Sequence, residues 1–152
     1  MITIEIKEGF STLVDSALVE YAVASTLANL SIPHNTSLTV VITDDQQIQE
    51  LNRQFRGVDS PTDVLSFPAG FSDPESDTTY LGDVIISYPR AATQATQGRY
   101  SVKDEILLLV IHGTLHLLGY DHVVPEEKTK MWAVQGAILN QLGISLQVMA
   151  DQ

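Results

Sequence analysis

Cysteine is absent from all 152 residues, which excludes a disulfide framework, a thiol nucleophile and any thiolate metal site. A zinc-type site in this chain must therefore be assembled from histidine and carboxylate. Positive charge is scarce as well: 8 Lys plus Arg stand against 19 Asp plus Glu, a net charge of −11. That sign disfavours a protein that grips nucleic acid through bulk electrostatics. No Lys or Arg occurs between positions 57 and 89, so a polyanionic substrate requires a narrow local cleft or a partner that supplies affinity. Long hydrophobic runs are missing too. The longest aliphatic stretch, Ile106 to Ile111, has six residues, where a membrane span needs about twenty. The start, Met1 to Lys7, alternates apolar and polar residues and has none of the basic, apolar and small-residue parts of a secretory signal. A soluble, cytoplasmic protein without membrane partners is the expectation.

What is present suffices for one compact domain over residues 1–152, with 44% of residues hydrophobic to fill a core. The alternating start predicts a strand over about 2–7. A helix is expected from about Thr12 to Leu30, with Leu13, Ala17, Val19, Ala24, Leu27 and Leu30 as its apolar positions. Ser37 to Thr43 is β-branched and strand-like. Thr43 and Gln46 have capping-box spacing, opening a helix with Ile48, Leu51 and Phe55 on one face and Gly57 at its end. That places Arg56 at a helix C-terminus. Asp63 to Phe67 reads as a short strand halted by Pro68. The Gly-, Pro-, Ser- and Asp-rich stretch 69–79 predicts a mobile surface loop, and Tyr80 to Ser87 a fourth strand. Pro89 suits the first turn of a helix, Ser101 caps another that is apolar on nearly all sides, and Pro125 opens a last one to about Leu142. Its stripe is Met131, Val134, Ile138 and Leu142. The order βαβαββααα, with four strands and about five helices, is an α+β pattern.

Three of the four histidines fall in one short run, His112-Gly-Thr-Leu-His116-Leu-Leu-Gly-Tyr-Asp-His122. Helical residues four apart differ by about 40° around the axis and about 6 Å along it, so His112 and His116 reach one ion from one face. Gly119 frees the backbone to turn and can return His122 as a third ligand. Three imidazoles with a position left for water form the donor set of a catalytic zinc, and neutral ligands leave the ion its full charge for activating water or attracting phosphate. Two such side chains on an otherwise aliphatic helix would also be hard to satisfy without a shared partner. His34, beside Pro33, reads as a solvated loop residue. The spacing is similar to that of metzincin proteases, which carry Glu directly after the first His as general base; here that position is Gly113. Asp121 could orient a ligand, act as a base, or serve only the turn.

Residues 112–122 match every fixed position of H-G-x-L-H-L-x-G-Y-D-H, the hallmark of the YbeY family of bacterial ribosomal-RNA maturation endoribonucleases, which this chain resembles. The resemblance extends to the segment from Asn52 to Phe67 and to Leu81-Gly82-Asp83-Val-Ile-Ile86. It implies a mixed four-stranded sheet with helices in a zincin-like metal-hydrolase fold, with one Zn2+ held by His112, His116 and His122. It further implies zinc-dependent cleavage of single-stranded RNA, maturation of the small-subunit rRNA 3′ end, work on or with the small ribosomal subunit, and ribosome quality control. The family's important Arg falls on Arg56, whose forked donors suit a phosphate; an isolated Arg there would merely complement the helix dipole. Asp63, Ser66 and Asp83 are expected to be structural. Two other functions fit the residues: a ribosome-assembly factor with a structural zinc, and a zinc hydrolase of another phosphoester or of peptides. The Gly at 113 argues against the last.

Overall fold

The computed structural model describes residues 1–146, and of residues 70 and 71 only the backbone. Nine elements follow one another as β1 (Ile2–Ile6), α1 (Ser16–Asn29), β2 (Thr36–Thr43), α2 (Asp45–Arg56), β3 (Val64–Asp73), β4 (Thr78–Ser87), α3 (Tyr88–Gly98), α4 (Val102–Leu117) and α5 (Pro125–Gln141). This is the expected order of elements. The four strands make one mixed sheet in the order β1-β2-β4-β3, in which β1, β2 and β4 are parallel and β3 runs antiparallel along an edge.

Alternation within the strands divides two apolar layers. Val40, Ile42, Val64, Val84 and Ile86 face α1 and α4 in the main core, whereas Leu65 and Ile85 turn to the opposite face and pack on Ile48 of α2. Helix α4 lies at the centre of the main layer, its residues from Glu105 to Leu115 all buried. Ser101 caps it, accepting from the Asp104 N–H at 3.1 Å. The carboxylate of Glu105 is buried in this apolar helix and is met by the Tyr100 hydroxyl at 2.5 Å. Burial, with the carboxylate beside it, pushes the phenol pKa well up.

Four local expectations are corrected. Helix α1 begins at Ser16, capped by Asp15, because residues 8–13 form turns that set Phe10 flat on Tyr88 at 5.0 Å. Its buried face is Val19, Ala22, Val23, Thr26 and Leu27, while Leu13, Ala17 and Ala24 are exposed. Alanine and aliphatic residues surround this helix, so spacing could not select the face. Helix α2 is capped by Asp44, which accepts from the Gln47 N–H at 2.8 Å, one residue beyond the Thr43 expected from the capping-box spacing.

The fourth correction concerns 69–79, which is mostly strand. Strand β3 continues past Pro68 to Asp73 and pairs with β4 from Thr78, with a register irregularity between Pro68 and position 71. Proline is tolerated because β3 is an edge strand. Polar partners hold the arm: Asp77 N–H donates to Asp73 O at 2.8 Å, and Asn35 bridges to Asp77 O at 2.6 Å and to the Thr79 N–H at 3.0 Å. Main-chain pairing requires no hydrophobic pattern, which is why composition suggested a loop.

Gly82 makes the irregular pairing possible. Its φ is +138°, and a Cβ there would lie 2.1 Å from the Phe67 carbonyl oxygen. Gly82→Ala is therefore expected to destabilise the protein by on the order of 2–3 kcal/mol, read as a lower urea midpoint at unchanged m-value.

Candidate active site

Helix α4 carries His112 and His116 one turn apart, the first toward α5 and the second toward the cleft beside β3. His112 is fully buried, and its Nδ1 meets Gln135 Oε1 of α5 at 2.9 Å. Its Nε2 lies 3.1 Å from Nε2 of His116. Gly119, at φ +97°, reverses the chain after α4 and returns His122, whose ring centroid stands 5.4 Å from that of His112 and 5.0 Å from that of His116. One ligand nitrogen from each of the three lies within 4.8 Å of the others. Trp132 of α5 walls the cluster, 5.6 Å from the His112 ring and 5.4 Å from that of His122.

The donor set fits a metal ion on two observations. His122 Nε2 is buried without a hydrogen-bond partner among the described residues, a costly state for a polar atom unless a ligand completes it. His112 is held neutral: burial foremost, and the two neighbouring imidazoles in a lesser degree, push its pKa down to about 3. A neutral imidazole fixed through its other nitrogen is oriented to donate a lone pair.

A cleft of about 450 Å³ opens beside the cluster, lined among others by His116, Asp121 and His122 on one side and by Arg56, Ser66 and Pro68 on the other. The expected site residues thus converge on one place. Gly57, at φ +73°, ends α2 and leaves Arg56 at its C-terminus beside edge strand β3. Asp121 Oδ1 accepts from the backbone N–H of His122 at 2.7 Å, so its carboxylate shapes the turn that returns the third imidazole. His34 is an exposed loop residue lining a different depression with Met1 and Ala24. Asp63 caps its own strand by accepting from Val64 N–H at 2.7 Å, and Asp83 accepts from the Tyr80 hydroxyl.

Position 113 is decided by packing. A Cβ on Gly113 would fall 2.5 Å from Val84 Cγ1 and 3.3 Å from both Ser66 Oγ and Val64 Cγ2, and Ser66 donates to the Gly113 carbonyl at 3.0 Å. Here the residue after the first His points into the sheet, so the glutamate of metzincins has no room. Gln135 is the participant that periodicity missed. The signal was a lone amide between Met131 and Ile138, on a stripe where Val134 had been expected.

Residues 3–143 match the profile of the family described as Endoribonuclease YbeY. The chain belongs to the YbeY family. Members called Endoribonuclease YbeY include one from Roseiflexus castenholzii, 41% identical over 150 residues, covering 95% of this chain and 94% of the relative. Another, from Persephonella marina, is 44% identical over 125 residues, covering 82% and 81%. A solution structure of a Thermotoga maritima protein superimposes with a TM-score of 0.60 at 27% identity, covering 94% of this chain and 92% of that one. With the histidine cluster, the YbeY assignment agrees with the α+β, zincin-like architecture expected above.

Two predictions follow from this geometry. Gly113→Ala should cost about 1–3 kcal/mol by overpacking against Val84, and Gly113→Ala with Val84→Ala should lose less than the sum of the two single variants in urea titrations. The metal-free protein should lose stability on acidification below the ordinary histidine range. His112 takes up its proton in the unfolded chain near pH 6.5 but in the fold only near pH 3. Stability is thus complete above the first value and declines between the two by about 1.4 kcal/mol per pH unit. In His112→Asn, denaturation at stepped pH should show that slope reduced by one proton.

Proposed function

We propose that residues 1–152 form one domain that acts as a zinc-dependent endoribonuclease on single-stranded RNA, in the maturation of the small-subunit rRNA 3′ end and in ribosome quality control. The observation that carries this reading is the juxtaposition, in one cleft, of a three-imidazole donor set with an arginine at a helix end. His112, His116 and His122 would hold one Zn2+, which supplies Lewis-acid polarisation of an oxygen when bound. Gln135 fixes the ring of His112 from behind, and Asp121 positions His122 through its backbone N–H. Arg56 offers paired donors to the scissile phosphate, where charge accumulates as the P–O bond breaks.

The acidic chain meets RNA through this cleft, and the small ribosomal subunit or its proteins supply further affinity in the cytoplasm. Among the described residues no helix is long and apolar enough to cross a membrane. Attack by water and attack by the substrate's 2′-hydroxyl differ in product, since only the second passes through a 2′,3′-cyclic phosphate. A role as a ribosome-assembly factor with a structural zinc is disfavoured by the open cleft beside the three imidazoles, and cleavage of peptides by the excluded base at 113.

Single-turnover cleavage of a ribosomal-RNA fragment tests the reading. Wild type of known metal content should cut, lose activity on chelation and regain it with zinc. His116→Ala should abolish cleavage. Arg56→Ala should lower the rate by roughly 100-fold while the protein stays folded, read by its cooperative thermal transition. Equal trace cleavage by all three proteins would mark a contaminating nuclease and defeat the assignment.

A further inference from the structure

Seven large apolar side chains stay exposed among the described residues; Met1, Leu13 and Tyr21 lie elsewhere, and the other four fall within two residues of Arg56 or His122, which line the cleft. Phe55 is 62% exposed and Val58 43%, bracketing Arg56. On the other side Val123 and Val124 follow His122 and are 78% and 47% exposed, with Val123 lining the cleft. Phe55 is not a stray core residue. Its ring meets Phe67 of edge strand β3 at a centroid distance of 5.5 Å and an interplanar angle of 63°, a tilted contact that holds the ring without covering it as a parallel partner would.

We infer that Phe55 is a stacking platform for the base of the RNA nucleotide adjoining the phosphate that Arg56 holds. Such a role presupposes the RNA-cleaving function proposed above and names how the substrate is gripped. The charge balance calls for a contact of this kind. At a net charge of −11, long-range electrostatics oppose the approach of a polyanion, and an uncharged contact adds affinity without further cations. Base–aromatic stacking is uncharged, works with any base and needs an unpaired strand, since a duplex offers no free base face. An exposed aromatic beside a phosphate-binding arginine therefore selects a single strand over a duplex.

Binding of an end-labelled single-stranded oligoribonucleotide to the full chain, in chelator so that no cleavage intervenes, tests this by anisotropy. Phe55→Ala and Phe55→Leu should both bind roughly 5- to 100-fold more weakly, because leucine keeps apolar surface but has no π-face. Phe55→Trp should bind at least as tightly as wild type. The factor lost in Phe55→Ala should stay constant as salt rises, whereas that lost in Arg56→Ala should shrink. An abasic site stepped along the oligonucleotide should weaken wild type at one position and leave Phe55→Ala unaffected there. Wild-type affinity in Phe55→Ala or Phe55→Leu, or an abasic penalty equal in wild type and Phe55→Ala at every position, overturns the stacking role alone. If wild type binds no RNA either in chelator or after zinc is restored, the nuclease reading fails with it.

Discussion

The seat of α4 against the sheet at Gly113 is the constraint on which the rest of the structure depends. With no side chain there, the helix backbone comes down onto Val64, Ser66 and Val84, and Ser66 bonds the buried Gly113 carbonyl. That contact sets the rotation of the helix. One residue earlier, His112 faces α5 in full burial, and one turn later His116 looks into the cleft. The same contact closes the position at which metzincin proteases, with similar histidine spacing, carry a base. One missing side chain thus seats the helix and leaves no room for that base.

Charge is distributed to match. Lys7, Arg53 and Arg90 each pair with a carboxylate, Asp44, Glu50 and Asp45 respectively. Exposed pairs of this kind add little stability, but they keep those cations at other carboxylates. Arg56 lines the cleft. The burial of His112 keeps one candidate ligand neutral over the physiological range.

The histidine site was legible from spacing because it is local. A separation of four on a helix and a glycine-led return determine that three imidazoles can meet, whatever surrounds them. The element order was legible for the same reason, since caps at Ser101 and Gly57 and the β-branched strands act over a few residues. Where the reading failed, the missing information was non-local. The face of α1 depended on what lay beside it. The arm formed by β3 and β4 beyond Pro68 depended on main-chain pairing and on Asn35, neither of which leaves a hydrophobic pattern.

The sequence by itself determined the element order, the exclusion of thiol chemistry and the three metal-ligand candidates, because each follows from composition or from short-range helical geometry. The tertiary structure decided which groups surround them. It put Gln135 behind His112, brought the end of α2 around an edge strand so that Arg56 shares a cleft with residues some sixty positions away, and closed position 113 to any side chain. Those relations depend on how elements pack and on the register of β3 against β4, and distances between elements far apart in the chain are set only when the core closes.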